Sequence, residues 1–142
     1  MAREGTMGKI NWGRLVLCGF LTGVVWGVLY ALALPLVGHM PGTLPGPLIP
    51  GTSAGMRGIV MIWPLGLGIS TMWLYAAIRP RYGPGPKTAA LAGFAVWFFY
   101  SWVDAFWAAR GAVPPGALVG PVAVHLPIVL VAAVFGAWLY KE

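Results

Sequence analysis

Five residues could place chemistry in an otherwise apolar chain. Two are titratable side chains within long apolar runs, Asp104 and His125. The other three, His39, Arg57 and Arg110, lie beside such runs. A charged or titratable group inside a bilayer is energetically expensive, so it is a candidate functional residue by default. We predict that these five residues form a polar cluster in the outer leaflet of a membrane.

The functional interpretation of the cluster centres on two side chains. Asp104 and His125 could form a proton-relay pair, and His125 could instead be the axial ligand of a haem or a chlorophyll-type pigment. On the third apolar run, Trp97, Tyr100, Asp104 and Trp107 recur at helical spacing and share one face. That face could line a cofactor or an apolar ligand. His125 is therefore the one candidate for cofactor binding, although the sequence requires no cofactor.

A simpler interpretation needs no ligand, and we favour it. Asp104 would pair with Arg57 or Arg110 near the membrane surface, where a charge costs less than at the midplane. His125 would donate a hydrogen bond to a carbonyl freed by a proline kink or to a neighbouring helix. Two histidines and one buried acid match no recognised metal or catalytic spacing. We therefore predict no metal site, no catalytic residue and no enzymatic activity.

The elements that must position these residues follow from the composition. The 142 residues are 59% hydrophobic and only 8% charged, and so few charges cannot cover a water-exposed surface. A hydrocarbon core about 30 Å thick needs roughly 20 apolar residues in a helix. Four stretches qualify, so the sequence predicts an all-α, integral membrane bundle of four transmembrane helices in a single domain, 1–142. The predicted spans are about 15–37, 59–78, 88–109 and 118–140. The first is longer than the apolar core of a signal peptide, which favours a retained helix.

Prolines refine the spans. Pro80 is expected to end the second helix, because a proline disfavours helix in the residue before it. Pro121 suits a first helical turn and would begin the fourth helix, which places His125 about one turn below its outer end. Pro64 and Pro127 fall inside spans and predict kinks there.

The basic residues predict the orientation. Both termini and the loop between the second and third spans carry seven of the nine basic residues, and the opposite side carries two. By the positive-inside rule both termini are cytoplasmic. The basic residues flank apolar runs and do not cluster on a helix face, which predicts contact with lipid headgroups and no nucleic-acid partner.

Small residues predict one close helix contact. Gly19, Gly23 and Gly27 recur at every fourth position of the first span. A stripe of this kind lets another helix approach closely. The sequence alone leaves open whether that helix belongs to the same bundle or to another subunit.

Three segments carry a family resemblance. They are residues 79–89 (RPRYGPGPKTA), residues 10–14 (INWGR) and residues 136–142 (GAWLYKE). Together they resemble a family of small, uncharacterised four-helix membrane proteins of bacteria, over the whole chain. The resemblance implies a bacterial inner-membrane location and carries no activity.

These observations lead to a ranked set of functions. The first is a non-catalytic accessory or assembly subunit of a larger bacterial inner-membrane complex, respiratory or photosynthetic, with other membrane subunits or further copies of the chain as partners. The alternatives are a small oligomeric transporter or channel for an apolar solute, and a haem-binding or pigment-binding protein that uses His125. The sparse polarity of the spans disfavours transport of a polar solute.

Overall fold

The computed structural model describes residues 10–38 and 53–140, and the chain forms four α-helices there. The helices are α1 (Trp12–Gly38), α2 (Ala54–Tyr82), α3 (Pro86–Ala109) and α4 (Pro115–Leu139). All four are long and apolar enough to cross a membrane. The prediction of an all-helical bundle with four such helices is thus confirmed. His39 lies outside the described residues.

Two helix boundaries differ from the prediction. Pro80 does not end α2, which continues to Tyr82. The residue before a proline is only biased away from helix, and a proline in the last turn removes few hydrogen bonds. Pro121 does not begin α4, because Pro115 does so six residues earlier. His125 is therefore about 15 Å along α4 from its start, at 1.5 Å per residue, and not one turn from it.

The helices form a ring in chain order. Helix α1 packs against α2 and α4, and α3 packs against the same two helices. Within the described residues α1 and α3 do not pack on each other, so they occupy opposite corners. We call the end of the bundle with Trp12, Tyr82, Pro86 and Leu139 the terminal end, and the end with Gly38, Ala54, Ala109 and Pro115 the loop end.

A short turn holds α2 and α3 together at the terminal end. Gly83 and Gly85 have φ angles of 80° and 136°, a region that residues with a side chain rarely adopt. The Thr88 hydroxyl donates to the Gly83 carbonyl at 2.7 Å, and the Gly85 amide donates to the Tyr75 hydroxyl at 3.3 Å. Nearby, a buried cluster closes this end of the core, and its largest members are Leu15, Met72, Tyr75 and Tyr140.

Helices α1 and α2 approach each other through glycine. A Cβ atom added at Gly19 would lie 2.6 Å from the Ile69 Cα atom, and one added at Gly23 would lie 2.5 Å from the Leu65 Cα atom. From the other side, a Cβ atom at Gly68 would overlap the backbone of α1 at Gly19 and Gly23. Gly19 and Gly23 therefore face α2 within the same bundle.

Gly27, the third member of the predicted stripe, has more space. A Cβ atom there would meet only the Pro64 ring, at an ordinary distance of 3.7 Å. The tight part of the α1–α2 contact therefore ends about one turn before Gly27, and α2 continues past it through Pro64 towards the loop end.

The first prediction concerns this contact. Gly68→Ala is expected to lower the free energy of unfolding by about 1–3 kcal/mol, because the added methyl group meets backbone that cannot move aside. Gly66→Ala is the matched control on the same helix, since nothing lies within 4 Å of its added Cβ atom. Thermal unfolding in detergent, followed by circular dichroism, measures both. Equal unfolding temperatures for the two variants would contradict the close contact.

Candidate functional site

A cleft of about 760 Å³ opens between α2 and α3 in the half of the bundle nearer the loop end. Helices α1 and α4 contribute to its inner wall. Several of its flanking residues, such as Ile59 and Phe99, are exposed at the bundle surface, so the cleft opens sideways. We call it the aromatic cleft, because six of its fifteen lining residues are Trp, Tyr or Phe. The lining residues are Trp26, Tyr30, Ile59, Val60, Trp63, Pro64, Leu67, Ser70, Val96, Phe99, Tyr100, Val103, Asp104, Trp107 and His125.

His125 lies at the inner wall between aromatic rings from two other helices. Its ring stacks on Tyr30 of α1, with centroids 4.4 Å apart and planes 8° from parallel. Tyr100 of α3 meets it edge-on at 5.3 Å, and Trp26 of α1 meets it at a similar angle at 6.3 Å. The His125 side chain is consequently 8% exposed. One ring thus joins the diagonal helices α1 and α3, which do not pack on each other directly.

The polar atoms of this cluster are only partly paired. The Tyr100 hydroxyl donates a hydrogen bond to the Asp104 carboxylate one turn along α3. Tyr30 is close enough to Asp104 to interact with it electrostatically. The Nδ1 atom of His125 is buried and finds no hydrogen-bond partner in the described part of the chain. An unpaired buried polar atom typically costs about 1–3 kcal/mol, so this imidazole does not owe its place to stability alone.

The structure brings together two of the five residues of the predicted polar cluster. Asp104 and His125 both line the aromatic cleft, whereas Arg57 and Arg110 are not among its lining residues. No ion pair joins Asp104 to either arginine within residues 10–38 and 53–140, so that expected pairing is wrong. The Arg110 guanidinium instead lies 5.4 Å from the centroid of the Phe106 ring. His39 lies outside the described residues.

A side chain of α3 makes a hydrogen bond to the backbone of α4 near Pro127. The Trp97 indole N–H donates to the Val122 carbonyl of α4 at 2.9 Å, in the turn before Pro127. Trp97 thereby fixes α3 against α4 just below the cleft, and it does not line the cleft. The other three members of the predicted α3 face, Tyr100, Asp104 and Trp107, do line it.

Sequence reasoning missed the contributions of α1 and α2. Trp26 and Tyr30 come from the helix that carries the glycine stripe, and Trp63 comes from α2. A signal was present, because Trp26 and Tyr30 are spaced one turn apart beside Gly23 and Gly27. Apolar helices with no polar face do not reveal which of their sides point inward, so the spacing alone could not assign these rings to a site.

The arrangement of these side chains suits the binding of a small molecule better than the catalysis of a reaction. The cleft combines a large apolar surface with a few convergent polar groups, which is the usual make-up of a small-molecule site. Its volume falls in the range of about 300–1,000 Å³ that is typical of such sites. Among the described residues no group of three or more His, Cys, Asp or Glu side chains could hold a metal ion. His125 offers at most a single axial ligand to a haem or pigment.

Comparison of the chain with protein-family models, with curated proteins and with solved structures finds no match.

The second prediction distinguishes the contribution of ring packing at His125 from that of its ring nitrogens. His125→Phe is expected to keep the free energy of unfolding or raise it by up to about 1 kcal/mol, because a ring remains on Tyr30 and an unpaired nitrogen is lost. His125→Ala is the comparison variant and should lower it by roughly 2–4 kcal/mol, because the rings around it lose their contact. Thermal unfolding in detergent checks both. An equal loss in the two variants would show that the imidazole nitrogens themselves stabilise the fold.

Proposed function

We propose that this chain is a non-catalytic, multi-pass protein of the bacterial inner membrane that binds an apolar small molecule in the aromatic cleft. The single observation that carries the binding function is the cleft itself, which is lined mainly by apolar and aromatic side chains and includes the Asp104 carboxylate and the His125 imidazole. Its sideways opening suits a ligand that enters from the bilayer.

The membrane and the orientation are part of the proposal. Four long apolar helices support a multi-pass membrane protein. Arg79, Arg81 and Lys87 flank the α2–α3 turn at the terminal end, whereas Arg57 and Arg110 are the basic residues that border the loop end. This asymmetry supports cytoplasmic termini. The resemblance of the 79–89 segment supports a bacterial inner membrane. Alkaline phosphatase fused to the C-terminus should then be inactive, and activity would reverse the orientation.

A second candidate function is an accessory subunit of a larger membrane complex, and the surface of α3 favours it. This helix is the least buried of the four. Four of its six exposed aromatic residues form a continuous row in which neighbouring rings contact one another: Phe94, Phe98, Phe99 and Trp102. Large aromatic side chains are enriched where proteins meet. Co-purification of a stoichiometric partner from native membranes would support this role, and a lone, monodisperse protein would count against it.

The third prediction tests binding. Val60→Trp should abolish saturable binding of the neutral apolar probe N-phenyl-1-naphthylamine, because the larger side chain fills the aromatic cleft. Val24→Trp is the matched control: Val24 is 39% exposed and Val60 41% exposed, but only Val60 lines the cleft. Probe fluorescence, titrated with purified protein and corrected with empty micelles, measures both.

The outcomes are distinct. Binding by wild type and Val24→Trp, with loss in Val60→Trp, is expected. Binding that survives in Val60→Trp, or no saturable binding by wild type, would overturn the proposed site. An absorption spectrum of the same preparation tests the pigment alternative, since a visible band that disappears in His125→Ala would assign the cleft to a haem or pigment.

A further inference from the structure

We propose that the preferred ligand of the aromatic cleft is a lipophilic organic monocation, such as an amphiphilic amine or a quaternary onium ion. This inference rests on the proposed binding function and specifies its ligand class. Two independent features point to a cation: the sign of the charge in the cleft and the aromatic character of its wall.

The charge in the cleft has one sign. Asp104 is the only acidic residue among the fifteen that line it, and no lysine or arginine is among them. The sequence of segment 39–52 contains no lysine, arginine, aspartate or glutamate, and its one titratable side chain is His39. Neither of the two arginines near the loop end lines the cleft: Arg57 lies one turn before Val60 on α2, and Arg110 lies against Phe106, which borders a different groove on α3. The lining of the cleft therefore carries one carboxylate, no lysine or arginine, and the imidazole of His125.

That carboxylate has an incomplete set of partners. Tyr100 supplies one hydrogen bond to Asp104, and no cationic side chain pairs with it within the described residues. A charge in an apolar environment is costly unless a charge of opposite sign accompanies it. A bound monocation would supply this missing countercharge and leave a neutral complex, which is the least costly state within a membrane.

The wall of the cleft complements a cation in a second way. Six aromatic side chains line it, from three helices: Trp26, Tyr30, Trp63, Phe99, Tyr100 and Trp107. The face of an aromatic ring carries partial negative charge, and a desolvated cation above it gains about 2 kcal/mol or more. Cages of tryptophan and tyrosine are the usual recognition sites of quaternary ammonium groups. Tryptophan, the residue best suited to this contact, provides three of the six rings.

Other ligand classes fit the same wall less well. A fatty acid or a phospholipid headgroup would bring an anion next to Asp104, with no lysine or arginine in the cleft to offset it. A neutral hydrocarbon would use the rings and leave the carboxylate without a countercharge. Only a lipophilic cation interacts favourably with both the carboxylate and the aromatic rings. Ligands that differ only in the sign of their charge should therefore bind with different affinities.

The experiment compares two ions of nearly the same size and shape but opposite charge, tetraphenylphosphonium and tetraphenylborate. Each is titrated as a competitor of N-phenyl-1-naphthylamine on the purified full-length protein in a neutral detergent, with empty micelles as the blank. We expect the phosphonium ion to displace the probe at concentrations at least about tenfold below those needed for the borate ion, since a close charge pair in a desolvated site is worth more than 1.4 kcal/mol.

Variants of Asp104 identify the charge responsible. Asp104→Asn should weaken phosphonium binding about tenfold or more and reduce the preference for the cation over the anion. Asp104→Glu, which keeps the carboxylate, should retain most of that preference. The wild-type comparison of the two ions needs no variant, so the inference remains falsifiable even where Asp104→Asn fails to fold. Size-exclusion profiles and unfolding temperatures identify such a failure.

The outcomes separate the two proposals. Phosphonium preference that depends on a carboxylate at position 104 supports the inference. Binding of the neutral probe with equal displacement by both ions overturns the cation inference and leaves the proposed binding function standing. Preference for the borate ion overturns it as well. Failure of the neutral probe to bind to wild type would overturn the proposed function together with the inference that rests on it.

Discussion

The close approach of α1 to α2 through Gly19, Gly23 and Gly68 is the constraint on which the rest of the structure depends. Without side chains at these positions the two backbones touch, and neither helix can rotate without a clash. The rotation of α1 is therefore set, and its other inward positions in the half nearer the loop end include Trp26 and Tyr30. These rings face α4 and the cleft because the glycine face of α1 is already occupied by α2.

The aromatic cleft follows from this packing. Helices α1 and α3 occupy opposite corners, and the glycine contact draws α2 towards α1. A tight turn with Gly83 and Gly85 holds α2 to α3 at the terminal end. At the loop end no short connection joins α2 to α3, because there the chain enters α2 from α1 and leaves α3 for α4. The space between α2 and α3 opens in that half, and the ring of His125 bridges the diagonal at its inner wall.

The polar groups of the cleft fit the proposed binding function better than a stabilising role. Asp104 has a hydrogen bond from Tyr100 but no ion pair in the described residues, and the His125 Nδ1 atom is buried without a partner there. Natural proteins retain such costly groups mainly where function requires them. In the simpler interpretation of the sequence, Asp104 pairs with an arginine and His125 hydrogen-bonds a kink carbonyl or a neighbouring helix. Within the described residues Asp104 has no such ion pair, and Nδ1 of His125 has no hydrogen-bond partner.

Much of the fold could be predicted from the sequence, because bilayer thickness dictates how long an apolar helix must be. The spans, the four-helix bundle and the pairing of small residues follow from length, composition and four-residue spacing. The helix boundaries predicted at Pro80 and Pro121 were wrong, because a proline only biases where a helix ends or begins. The site could be predicted only on α3 and α4, where Asp104 and His125 stand out from apolar neighbours. The rings of α1 and α2 could not, because uniformly apolar helices do not show which side faces inward.

The most direct test of the central claim is a distance measurement around His125 in lipid bilayers. Solid-state nuclear magnetic resonance on protein with isotope-labelled histidine and tyrosine rings would detect magnetisation transfer from the His125 ring to the rings of Tyr30 and Tyr100. The variants Tyr30→Phe and Tyr100→Phe would assign each signal. Ring centroids 4.4 Å and 5.3 Å apart predict both contacts. Absence of both would contradict the account, because His125 would then not bridge α1 and α3 at the wall of the cleft.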